Sequence, residues 1–148
     1  MSVIIRDASE EDIPPILKLL YELGRPEPVD EKEIKIFKNK INDYFLDPSK
    51  FIIIAEKDSK ILGLVSVILL QRLNHGKFEM YIPELVVTKE HRYYGIGKRL
   101  ITYCIELAKK KNCYRIRLES GNQRTESHQF YKSLGFEQSS LSFNKNLL

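Results

Sequence analysis

The chain has 148 residues, 43% hydrophobic and 30% charged, with 24 Lys and Arg against 20 Asp and Glu for a formal net charge of +4. That length fits one domain able to bury about two thirds of its unfolded surface, so residues 1–148 are expected to form a single domain. The composition excludes fibrous and disordered classes, and the longest apolar run, ILGLVSVILL, is about half of what a bilayer-spanning helix needs.

VIIRDA reads as a short strand, and Ser9 with Asp12 three residues later makes a capping-box start for a helix to about Leu23. The proline-rich GRPEPVD cannot continue it. A second helix, about Glu31 to Phe45, carries Ile34, Phe37, Ile41 and Tyr44 at helical spacing and stops near Pro48. FIIIAEK and ILGLVSVILLQ follow as a hairpin turning through DSK. After RLNHGK comes a strand from about Phe78 to Thr88, interrupted by Pro83, which has no N–H for a ladder. Leu100, Ile101, Cys104, Ile105 and Ala108 form the apolar stripe of a helix from about Ile96 to Lys111, whose last three lysines meet the negative end of its dipole. YRIRLES is a strand, TESHQFYKSLG a short helix, and FEQSSLSFNKNL holds a final strand. With the strand interrupted at Pro83 counted as two pieces, the order βααββββαβαβ indicates an α/β or α+β sandwich with helices on a central mixed sheet.

The opening MSVIIRDASEED has neither the basic segment nor the apolar stretch of a secretory leader, so the expectation is a cytoplasmic protein with no membrane partner. Cys104 and Cys113 lack metal-site spacing, His75, His91 and His128 are scattered, and no metal is expected. The basic charge favours acidic ligands. A nucleic-acid partner is not among those expected, because no recognition helix or aromatic-basic motif is present and 20 acidic residues dilute any patch.

HRYYGIGKRL, His91 to Leu100, sets two glycines just ahead of the third long helix. A P-loop would need glycine where Arg92 stands and Ser or Thr where Arg99 stands, and a dinucleotide fingerprint would need glycine at Leu100. Two readings remain. The glycines make a turn and allow close packing, or they let the backbone pass close to a phosphate at a helix N-terminus with unpaired N–H groups.

The wider segment ELVVTKEHRYYGIGKRLI resembles the acetyl-CoA-binding motif of the GCN5-related N-acetyltransferase (GNAT) family, Arg/Gln-x-x-Gly-x-Gly/Ala after a valine-rich strand. Arg92, Gly95 and Gly97 fill it. ESGNQRTESHQFYKSLGF is similar to the family's other cofactor segment, here ending in Tyr131, Leu134, Gly135 and Phe136. The resemblance runs from about Phe51 to Phe136, with the N-terminal helices in the variable substrate-binding region. One departure is that Arg124 stands where many members have an asparagine, with Ser127 three residues on and Asn122 nearby.

The resemblance implies a mixed, mostly antiparallel sheet flanked by helices and splayed at the acetyl-CoA site; Pro83, which removes a ladder donor, is either a local cause of the splay or the mark of a plain edge strand. It implies direct transfer of an acetyl group from acetyl-CoA to a primary amine, without metal. The pyrophosphate would lie on the loop of Arg92, Tyr93, Tyr94, Gly95, Ile96, Gly97 and Lys98. The pantetheine arm would pair with Leu85, Val86 and Val87, and Asn122 and Phe130 join the cofactor set. Glu84 is the candidate base, acting through water, against a carboxylate that only orients substrate. Tyr131 is the candidate acid for the departing thiolate, against a packing tyrosine, since a phenol with a pKa of about 10 is protonated at neutral pH.

The acceptor pocket would draw on Tyr21, Glu22, Tyr44 and Tyr81, which fit a polyamine, an aminoglycoside, an amino acid or a protein amine alike. The alternative function is an acyl-CoA-binding sensor or regulatory module that does not transfer. Resembling proteins often pair through C-terminal strands, and the alternation in SSLSFNKNLL points to a homodimer.

Overall fold

A strand that is apolar along its whole length needs cover on both faces. In the computed structural model, which describes every residue except Met1, Arg25 and Asn122, ILGLVSVILL becomes β3 (Lys60–Gln71) at the centre of a six-stranded sheet. Its companions are β1 (Ile4–Asp7), β2 (Lys50–Lys57), β4 (Phe78–Ile82), β5 (Leu85–Val87) and β6 (Arg115–Leu118). The order is β1-β2-β3-β4-β6, with β5 also paired to β3, and the β1–β2, β2–β3, β3–β4 and β3–β5 pairings are all antiparallel. The helices are α1 (Ile13–Glu22), α2 (Glu31–Leu46), α3 (Ile96–Lys110) and α4 (Thr125–Ser133). The chain divides into two units, Met1–Arg117 and Leu118–Leu148.

In the first unit, successive side chains of β2 and β3 alternate between the sheet faces. Ile52, Ile54 and Leu64 meet Ile13, Ile16, Leu17 and Leu20 of α1 and Ile41 of α2 in one buried cluster. The stripe of α3, with Leu100, Ile101 and Cys104 fully buried, lies toward the opposite face. There Gly63 allows a close approach: a Cβ would come within 3.3 Å of the Leu100 side chain and 3.1 Å of the Val86 carbonyl oxygen, tighter than side chains ordinarily pack.

Local chemistry sets the ends of these elements. The Ser9 N–H donates to Asp12 at 2.8 Å, and Arg6 donates to both Asp12 oxygens at 2.9 and 3.0 Å. The Arg6 guanidinium thereby holds the Asp12 carboxyl below its ordinary range, against the opposing effect of burial. Pro14 and Pro15 fall in the first turn of α1, where a missing N–H leaves no bond unmade. Asp30 caps α2 by accepting from the Glu33 N–H at 2.9 Å. The β2–β3 hairpin turns through Asp58 (φ 50°) and Ser59 (φ 65°), the paired left-handed conformation that suits the strand twist.

The interruption expected at Pro83 is a register shift. Tyr81 pairs with Ile68 and Leu85 with Val65, so two residues of β3 face three of the opposing chain. This is a bulge.

In the second unit, α4 ends in a glycine-closed motif. Gly135 (φ 91°) donates to the Lys132 carbonyl and Phe136 to the Tyr131 carbonyl, both at 3.0 Å. The rings of Phe136 and Tyr131 then meet edge to face at 5.8 Å. The final strand expected within FEQSSLSFNKNL is not formed: residues 136–148 are in neither helix nor strand. Alternation makes a strand only when a neighbouring edge takes its N–H and C=O groups. Among the described residues this tail has no such ladder, and Leu141, Phe143, Leu147 and Leu148 stay exposed.

Candidate active site

The bulge is held by Ser66, the one hydroxyl in an otherwise apolar strand. Its N–H donates to the Glu84 carbonyl at 2.9 Å, while its Oγ accepts the Glu84 N–H at 3.0 Å and donates to the Glu84 carboxylate at 2.7 Å. Pro83 can sit at this position because the bulge takes it out of the ladder. Ser66 is buried and Glu84 half-buried, so a buried side chain fixes the direction of a carboxylate open to one side. Tyr44 of α2 lies within electrostatic range. Burial pushes its phenol up to about 12, and the Glu84 and Tyr81 charges add to the rise.

Beyond the bulge, the alternation of an antiparallel ladder decides which main-chain groups remain open. Glu84 and Thr88 both bond to β3, through Ser66 N–H to Glu84 carbonyl and Thr88 N–H to Leu62 carbonyl at 2.8 Å. With a period of two, Val86 also faces β3, and Leu85 and Val87 turn their groups to the other edge. No strand pairs with that edge among the described residues, because β6 flanks β4 instead. The sheet is therefore splayed at β5. The Arg92 Nε donates to the Val87 carbonyl at 3.1 Å, which leaves Leu85 and the Val87 N–H facing the gap.

The loop that follows leads into α3. Gly95 is its N-cap at φ 80°, left-handed backbone that favours glycine, and a Cβ there would meet nothing within 4 Å. The glycine at 95 is thus a matter of backbone conformation and open space, not of close packing. The first helical bond at this end runs from Arg99 N–H to Gly95 carbonyl at 3.1 Å, and among the described residues no side chain caps the end. The N–H groups of Ile96, Gly97 and Lys98 consequently have no acceptor in the helix, at the positive end of a 15-residue dipole. Such an end takes a phosphate. Tyr93 and Tyr94 are exposed beside it.

Glu22, at the last turn of α1, steadies the approach to this loop. It accepts from the Thr88 hydroxyl at 2.9 Å and from the Lys89 N–H at 3.1 Å, capping the single turn Lys89–His91. In the second unit, Tyr131 lies on α4 with Phe130 edge-on at 5.2 Å, and burial raises its phenol above the usual value, which keeps it protonated. His128 bonds the Gly121 carbonyl at 2.7 Å. Asn122 lies outside the described residues.

Ser66 went unseen in the sequence reading, although a lone polar residue in the run ILGLVSVILL marks the place. Nor did that reading find Glu79, fully buried on β4. Burial alone would push its carboxyl up, but hydrogen bonds from Arg115 and Arg117 outweigh this and hold it below the ordinary range. A glutamate in a strand otherwise reading FxMYI was its only mark.

A splayed sheet thus stands beside a glycine-entered helix end whose first N–H groups have no acceptor in the helix. The family model described as Acetyltransferase (GNAT) family matches residues 17–136. The chain is 27% identical over 143 residues to the aminoalkylphosphonate N-acetyltransferase of Salmonella typhimurium, covering 97% of this chain and 90% of that one. Among solved structures, a Bacillus halodurans C-125 transcriptional regulator superposes with a TM-score of 0.87 at 26% identity, covering 99% of this chain and 100% of that one. A GNAT family acetyltransferase of Staphylococcus aureus gives a TM-score of 0.81 at 27% identity, with the same coverage. The chain belongs to the GNAT acetyltransferase family and is an acyltransferase. No helix among the described residues is long and apolar enough to cross a membrane.

Proposed function

We propose that this protein is an acetyl-CoA-dependent N-acetyltransferase that acts as one catalytic domain over residues 1–148 and acetylates a small-molecule primary amine. The observation that carries this reading is the open N-terminus of α3 beside the unpaired edge of β5. Coenzyme A fits there: its pyrophosphate meets the N–H groups of the 93–98 loop, and its pantetheine amides meet Leu85 and Val87. Acetyl-CoA supplies the acetyl group already activated as a thioester.

The residues of the chain do the rest. Glu84, aimed by Ser66, takes a proton from the ammonium through water and leaves a nitrogen lone pair to form the new C–N bond. As the C–S bond breaks, Tyr131 gives its proton to the sulfur, the nitrogen loses its surplus proton to water to become the neutral amide, and solvent reprotonates Tyr131 and takes the proton held by Glu84. The assignment of Tyr131 rests on its place in the family motif and on the burial that keeps it protonated. A small amine as acceptor is supported by the Salmonella relative, named for aminoalkylphosphonates.

The test is calorimetric titration with coenzyme A followed by a screen of amine classes with acetyl-CoA, reading free thiol. Binding and thiol release that depends on an amine are expected. Coenzyme A bound without turnover of any amine supports the sensor reading instead. Absence of binding at near-millimolar ligand refutes both.

A further inference from the structure

The sheet face that carries Glu84 also carries a charge cluster with no part in acetyl transfer. Glu79 has no exposed side-chain surface, yet three guanidiniums converge on it. Arg115 and Arg117 donate to it through Nε, the latter at 3.1 Å, and Arg72 Nη1 stands 3.6 Å away. The Tyr114 hydroxyl adds a bond at 3.3 Å. Tying β4 to β6 needs one cation. Further guanidiniums around one carboxylate repel one another, so Arg72 and Arg115 alone leave a positive excess. Their side chains are 40% and 49% exposed. Among the described residues, the Nη groups of Arg115 and all the nitrogens of Arg72 lack a hydrogen-bond acceptor. Donors of this kind in planar forks suit an oxyanion.

The register places this cluster in line with the reacting end. Glu84 bonds Ser66, Tyr81 pairs with Ile68 and Glu79 with Leu70, so all three stand on the α1–α2 face of the sheet. The Arg117 guanidinium lies 4.6 Å over the Tyr81 ring, bridging the two ends. From Ser66 to Leu70 is four residues, about 13 Å along the strand.

We propose that the acceptor amine carries an anionic group, a phosphonate, phosphate or carboxylate, held by Arg72 and Arg115. This deepens the acetyltransferase reading and rests on it for the identity of the amine as acceptor, but the anion site is readable by binding alone.

The test is calorimetric titration of the protein, with coenzyme A present, by 2-aminoethylphosphonate and by ethanolamine, which differ only in the anionic group. The phosphonate should bind at least about tenfold more tightly. Arg72→Gln and Arg115→Gln should each cut that preference about tenfold, and raised salt should weaken the phosphonate alone. If Arg115→Gln fails to fold, Arg72→Gln carries the test, because Arg72 makes only the 3.6 Å ion pair. Equal affinities, tighter ethanolamine, no phosphonate binding at millimolar concentration, or a preference untouched by Arg72→Gln would each overturn the proposal. A protein that binds the phosphonate selectively but releases no thiol with any amine would retain the anion site while losing the transferase reading.

Discussion

Removing the Ser66 hydroxyl should cost this protein both stability and turnover. In Ser66→Ala the Glu84 N–H loses its acceptor at 3.0 Å, and the Glu84 carboxylate loses a donor at 2.7 Å. A buried backbone N–H left unsatisfied costs about 1–3 kcal/mol, and a hydrogen bond to a charged group contributes about 1.5–3 kcal/mol. Glu84 is only half-buried, so water replaces part of the second term, and the expected loss is about 2–4 kcal/mol. For a chain of this size that corresponds to a fall in Tm of roughly 5–15 °C. With the carboxylate no longer aimed, turnover should fall between about tenfold and 10²-fold while the KM for acetyl-CoA, set by the 93–98 loop, stays near its parent value. Urea unfolding and steady-state kinetics read the two effects separately. A variant within about 0.5 kcal/mol of the parent, with turnover intact, would show that the bulge stands without its hydroxyl and that Glu84 needs no orienting partner.

Other substitutions separate binding from chemistry. Gly97→Asp puts a carboxylate in the first turn of α3, where it favours the helix, so the Tm should hold or rise while coenzyme A binding disappears from the calorimeter. Tyr131→Phe should lower turnover about 10²-fold with acetyl-CoA affinity unchanged. Burial raises the Tyr131 phenol, so wild-type turnover should show no loss of the acid form until the pH exceeds about 10. Tyr44 tests linkage: its folded pKa, about 12, lies above the unfolded value of about 10. Its contribution, about 2 kcal/mol at most, is complete below pH 10 and lost as the pH climbs through 12. Tyr44→Phe should remove that part of the alkaline destabilisation in pH-dependent unfolding, and an unchanged alkaline limb would refute the assignment.

What the sequence determined by itself was whatever rests on local spacing. Ser9 with Asp12, the stripe from Leu100 to Ala108, the Asp58–Ser59 turn and the glycine closing α4 each depend on neighbours within a few residues. Gly95 belongs here too, since a left-handed residue before a helix is a local conformational demand. The alternation in SSLSFNKNLL shows the limit of such signals, for side chains can alternate where no neighbouring edge receives the backbone. Tertiary structure alone decided the rest. Pro83 marked an interruption, but only the register of β3 against β4 and β5 made it a one-residue bulge closed by a serine 18 residues away. Which of Leu85, Val86 and Val87 faces the gap followed from that same register. Glu79 and Arg115 stand 36 residues apart in the chain and share one hydrogen bond. Periodicity reports which face a side chain takes, whereas register reports which distant side chain it meets, and a charge cluster or an aimed carboxylate exists only once strands far apart in sequence have been paired.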